Sequence, residues 1–196
     1  MDLAERTFAM LAQGYAGDAF NHLLWAVQDN TEVHRVVLPY RAWDLLELIG
    51  DEHAHTLLRQ SVRYCVKSER DWQHNTQTDE PRTLLAKLLD EHKLSGRPAG
   101  TRRAEDAWVE RLSRTIFESS PPTAADAAAG ALSEGMTYEA VGEAISLAAN
   151  QLILRDSGRT ERDAQPNKPP GSVHGDSIGV HACDSANAWR NMVPAC

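Results

Sequence analysis

Apolar side chains recur at three- and four-residue spacing along almost the whole chain, and the alternation of β-branched residues that a half-buried strand needs is nearly absent. In "PRTLLAKLLDEH", for example, Leu84, Leu85, Leu88 and Leu89 fall on one helix face. This spacing predicts an all-α fold, a multi-helix bundle of roughly eight or nine helices whose short connections pair them as antiparallel hairpins.

The expected helices run over 2–13, 16–29, 40–49, 51–67, 81–92, 102–118, 123–134, 137–154 and 178–193. Gly14, Gly17, Gly50 and Gly135 punctuate them, and Pro39 and Pro81 are expected in first turns, where a missing N–H costs nothing. Thr123 and Asp126 have capping-box spacing, Thr137 is the expected cap of its helix, and Asp176 or Ser177 that of the last. "SERDWQHNTQTDE" has no periodicity and reads as a loop, and so does "KLSGRPAG". Residues 156–172, rich in proline, glycine and charge, read as a linker or a surface loop. The expected organisation is therefore a helical domain over 1–155, this connection, and a C-terminal segment 173–196 that docks on the same domain. Residues 4–30 and 109–135 share a helix, break, helix pattern at an offset of 105, with Glu5-Arg6 answering Glu110-Arg111, which is the form an internal duplication takes.

Twenty basic and 28 acidic side chains leave a net charge of −8, a field that opposes binding to nucleic acid or anionic membrane. No stretch approaches the roughly 20 apolar residues of a membrane span, and "MDLAERTFAML" lacks the basic start and continuous apolar run of a signal peptide. Cys65, Cys183 and Cys196 are an odd number without a C-x-x-C pair, which fits a reducing, cytoplasmic home better than a disulfide framework. No phosphate-binding glycine loop, G-x-S-x-G elbow or H-E-x-x-H motif is present.

The densest chemistry lies in "HGDSIGVHACDSANAW", His174 to Trp189. On a helix from Ile178, His181 and Asp184 are one turn apart, the arrangement a metal ion takes or a general base oriented by its carboxylate. His174 and Asp176 stand just upstream. Cys183 is a candidate nucleophile, although side chains two apart on a helix diverge, so its base would come from elsewhere than His181. A capped helix whose polar groups simply bond to neighbouring helices is the competing account. Near a helix start, "GDEHAH" gives Glu52 and His55 the E-x-x-H spacing of di-iron bundles, but a second copy is missing. A mixed divalent transition-metal site from His55, His174, His181 and Asp184 is the sharper expectation, with His53 a substitute for His55. Arg59, Arg63 and Lys67 form a basic row that suits an anion or a solvated helix face. His22 and Cys65 read as core residues, and Tyr40, Arg41 and Trp43 as packing and surface pairing.

Residues 130–154, "GALSEGMTYEAVGEAISLAANQLIL", resemble a helix pair of the carboxymuconolactone decarboxylase and AhpD-like helical superfamily. The resemblance implies a homo-oligomer with a polar site between helices, served by His181, Cys183 and His55. Redox members of that group use a C-x-x-C, and Cys183 has no partner three residues away, which counts against a vicinal-disulfide cycle. The function expected from these features is an enzyme or small-molecule-binding protein of redox or metal-dependent type, with His181, Asp184, His55 and Cys183 as its working residues. The alternative is a non-catalytic interaction protein whose C-terminal helix is a docking element.

Overall fold

A computed structural model of the chain describes residues 2–28, 32–71, 76–173, 175 and 177–195, without the side chains of 70, 71 and 76–82. Regular structure among these residues is helical, with two isolated bridges and no strand, so the all-α reading stands. No helix among them is long and apolar enough to cross a membrane. The chain divides into two compact units, Met1–Lys87 with Asn191–Cys196, and Leu88–Arg190.

In the first unit α1 (Asp2–Leu11), α2 (Ala16–Gln28) and α3 (Val33–Asp44) pack around α5 (Ala54–Asp71). Phe8, Phe20, Leu23, Val27, Val36, Leu58 and Val62 are buried at this centre. Each large apolar side chain so placed contributes roughly 1.5–3 kcal/mol. Trp43 stacks on Phe20 at 4.6 Å, as its packing role requires.

Two helix starts differ from expectation. The third helix begins at Val33, not 40, because Glu32 caps it, its carboxylate accepting from the backbone N–H groups of His34 and Arg35. Pro39 therefore lies inside α3, fully buried, and the helix tolerates the lost hydrogen bond. A break at Leu45 separates α3 from the single turn α4 (Leu46–Ile49), and a 3₁₀ turn over Asp51–His53 leads into α5. The expected loop after residue 67 is largely helix: α5 continues to Asp71 and α6 (Thr76–Glu91) starts before Pro81. The apolar signal fades there because those turns carry polar side chains, while the backbone bonds of a helix do not depend on an apolar face. His22 is exposed, which corrects its reading as a core residue; its neighbours Ala19 and Leu23 take the buried positions.

In the second unit α7 (Asp106–Glu118), α8 (Pro121–Ser133) and α9 (Tyr138–Leu154) enclose Val109, Leu112, Ala131, Met136, Val141 and Ala144. α7 starts at Asp106 rather than 102, because residues 100–105 are tied to the turn before α9. Arg102 donates its N–H to Gly135 O at 2.9 Å, and Thr137 donates to Arg102 O at 2.9 Å, a parallel bridge. Gly100 is pressed against this turn so tightly that a Cβ would stand 2.3 Å from Met136 O. The bridge launches α7 and α9 side by side and parallel, and they form the largest helix contact of the unit, so this pair is not an antiparallel hairpin. Ser120, not Thr123, precedes the first turn of α8, and Thr123 instead hydrogen-bonds Ser120 Oγ at 3.0 Å. Thr137 caps α9 as expected, accepting from Ala140 N–H.

Residues 156–172 form a loop with a closed neck. Arg159 N–H donates to Ser172 O and Gly171 N–H to Arg159 O, both at 2.9 Å. Gly158, at φ +76°, leaves no space for a side chain, since a Cβ would meet Gly171 O at 2.5 Å. A tight turn at Gln165–Lys168 makes the tip, with Pro166 at its second position.

The 105-residue offset returns in the helix boundaries: α2 spans 16–28 and α8 121–133, while α3 starts at 33 and α9 at 138. Packing does not follow it. α5 organises the first three helices, whereas α7 and α9 pair directly.

Candidate functional site

α10 (Ile178–Met192) starts where the sequence placed it, with Ser177 Oγ accepting from Val180 N–H. Asp176, the other candidate cap, and His174 lie outside the described residues. α10 runs back along α9 through small residues. Gly179 meets Leu152 and Ile153, Cys183 meets Asn150, and Arg190 lies over Gly142, so the two helices are antiparallel. Close approach at this seam is found at Gly179, which has no side chain to hold the two backbones apart.

Along this seam lies a groove of about 340 Å³, lined by Ser146, Asn150, Cys183, Asp184, Asn187 and Arg190. The Cys183 thiol donates to Asn150 Oδ1 at 3.3 Å. Burial pushes that thiol above its ordinary pKa and the Asp184 charge adds to the effect, the reverse of what an activated thiolate needs. Ser146 donates to Gly142 O, within its own helix. Neither Asp184 nor Arg190 has an ion partner among the described residues, which leaves one charge of each sign open to this groove.

Of the sequence-derived candidates, Cys183 and Asp184 share this groove, and His181 stands one turn before Asp184 without lining it. His55 belongs to the first unit, in the first turn of α5, where its ring stacks on Phe8 at 5.8 Å. Its buried Nε2 has no hydrogen-bond partner among the described residues. Glu52 and His53 are exposed in the preceding 3₁₀ turn. No group of three or more His, Cys, Asp or Glu side chains gathers around a metal-sized point among the described residues. In the basic row Arg59 and Arg63 both bind the Glu5 carboxylate, at 2.7 and 3.2 Å, so the row has an anion supplied by α1.

Cys65 is buried, as its core reading requires, yet it lies in a polar network between α3 and α5. Arg35, itself 3% exposed, pairs with Glu69 at 2.6 Å. Burial raises the Cys65 pKa, with Arg35 opposing through its hydrogen bond and charge. Glu32 binds His34 Nδ1 as well as the start of α3.

One pair escaped the sequence altogether. His92 Nε2 lies 2.7 Å from Asp126 Oδ1, joining the end of α6 to α8. The local chain fixes His92 through a Schellman turn: Lys93 N–H bonds Asp90 O, Leu94 N–H bonds Leu89 O, and Lys93 takes φ +53°. The partners are 34 residues apart and on different helices, so no spacing rule could pair them. Asp126, read as half of a capping box, lies inside α8 rather than at its start, and its carboxylate binds His92 instead.

The parallel starts of α7 and α9 enclose another cavity, of about 540 Å³, with Arg103, Asp106, Tyr138, Glu139 and Glu143 on its wall. Two positive helix ends meet here, and three carboxylates offset them. Glu139 is held below the usual carboxylate range by a backbone hydrogen bond at the helix start, then by Tyr138, Thr137 and the Arg103 charge, against the opposing effect of burial. No family model, curated protein or solved structure matches the chain at a significant level.

Proposed function

We propose that the chain is a helical small-molecule-binding protein whose site is the polar groove between α9 and α10. The observation that carries this reading is the pair of unpartnered opposite charges, Asp184 and Arg190, on a concave surface also furnished with Asn150 and Asn187. Convergent polar groups in a concavity are what a ligand site needs. A carboxylate and a guanidinium together suit a small zwitterion, with its ammonium on Asp184 and its carboxylate on Arg190. The resemblance of residues 130–154 to the carboxymuconolactone decarboxylase and AhpD-like group agrees with a site between helices and with a homo-oligomer, and both belong to this proposal.

The test is an NMR titration with glycine and L-serine, with methylamine and acetate as half-ligands. Saturable shifts at Asn150 and Asp184 with the amino acids alone, lost in Asp184→Asn and in Arg190→Gln, support the reading. Linear, equal shifts with all four compounds overturn it. The metal-dependent form of the proposal draws on His174, His181 and Asp184. Elemental analysis of untagged protein against a His181→Ala, Asp184→Ala variant decides that form, since stoichiometric metal must be present in the parent and lost in the variant.

A further inference from the structure

We infer that the groove between α7 and α8 is a second ligand site, for a small planar monocarboxylate that also carries a hydrogen-bond donor. It uses different residues from the α9–α10 groove and does not rest on that reading. The cavity measures about 320 Å³, and its wall includes His92, Trp108, Arg111, Thr115, Asp126 and Glu134. Arg111 is exposed, and its guanidinium has no hydrogen bond or ion pair among the described residues. A guanidinium fork in a groove matches a carboxylate with two parallel hydrogen bonds. Trp108 packs partly on the core and lines the groove as well, so an indole offers aromatic and apolar area to a ligand ring.

His92 supplies the donor preference. A carboxylate only accepts, so the hydrogen of the His92–Asp126 bond sits on Nε2, and in the neutral ring Nδ1 is then the acceptor that a ligand hydroxyl can use. The ring is seated over Gly130, with Cε1 3.6 Å from where a Cβ would stand, and the Schellman turn holds its backbone. The charges in the groove set the ligand's own charge. Asp126 and Glu134 are both acidic against one free arginine, so a dianion such as a phosphate monoester meets repulsion that a monocarboxylate largely avoids.

The experiment is an NMR titration of the whole chain with 3-hydroxybenzoate, benzoate, acetate and inorganic phosphate, following the amides of Arg111 and Gly130 and the ring protons of His92. The expected result is saturable binding of 3-hydroxybenzoate, weaker binding of benzoate, and no saturation with acetate or phosphate. Arg111→Gln weakens 3-hydroxybenzoate about tenfold or more, the size of a lost charge-assisted bidentate contact. Glu134→Gln strengthens it, and His92→Phe erases the advantage of the hydroxyl. Both Arg111 and Glu134 are exposed, so their variants leave the core intact. Unchanged affinity in Arg111→Gln, saturation by phosphate at the same affinity, or equal binding of benzoate and 3-hydroxybenzoate in the parent overturns the inference.

Discussion

Gly179 of α10 lies so close to α9 that a Cβ on it would stand 2.8 Å from the backbone nitrogen of Ile153. Across the same seam, a Cβ on Gly142 would find its nearest atom, Arg190 Cγ, at an ordinary 3.5 Å. Glycine to alanine inside a helix normally stabilises by roughly 0.5–1 kcal/mol. The two positions should therefore respond with opposite signs. Gly142→Ala raises the midpoint of thermal unfolding, and Gly179→Ala lowers it because backbone must move. Equal responses in melts followed by circular dichroism would show that the seam is looser than described.

The thiol of Cys183 is expected to be slow. Burial and then the Asp184 charge favour the protonated form, so its reaction with a disulfide reagent at pH 7 should be slower than that of an exposed cysteine and should reach its plateau at a higher pH. Asp184→Asn removes the like charge and speeds the reaction at pH 8. Stopped-flow labelling in a Cys196→Ser background measures this, and fast labelling of the parent at pH 7 would contradict it.

Lys93 occupies a left-handed conformation at the end of α6, with φ +53°. An L side chain pays about 1–2 kcal/mol there and glycine does not. Lys93→Gly should stabilise the chain, by about 0.5–1 kcal/mol once the extra freedom of glycine in the unfolded state is subtracted. Urea unfolding gives the value, and destabilisation would mean that the Lys93 side chain holds the turn.

Tyr64 is pushed up to about 12 from its ordinary 10.0, first by burial and then by the charge and hydrogen bond of Glu32. Between those values the native state keeps a proton that the unfolded chain releases. Its contribution to stability is therefore full below pH 10 and is lost as pH rises toward 12. Urea midpoints between pH 9 and 11.5 should fall in the parent, and fall less steeply in Tyr64→Phe. Parallel curves would remove Tyr64 from the alkaline transition.

Fold class was legible because helical periodicity needs only the pattern of apolar residues, and α2, α9 and α10 sit within a residue or so of their expected starts. The start of α3 was hidden because its cap is Glu32, outside the favoured Ser, Thr, Asp and Asn set, and because Pro39 read as a first-turn residue. Charge pairing was the least legible layer. "GDEHAH" and "HGDSIGVHACDSANAW" stand out through local density, whereas His92 and Asp126 are each unremarkable in sequence and meet only through packing. The same holds for Glu5, which answers a basic row more than fifty residues away.

The neck that ties Arg159 to Gly171 and Ser172 has a practical consequence. Once the two ends of a loop are pinned to each other, what lies beyond them no longer helps to position the helices. Adding residues there costs only slowly growing loop entropy, about 0.6 kcal/mol per doubling of length. Residues 166–168 at the exposed tip are thus a natural graft point, where a fluorophore tag or an epitope can be carried by the chain without disturbing either groove.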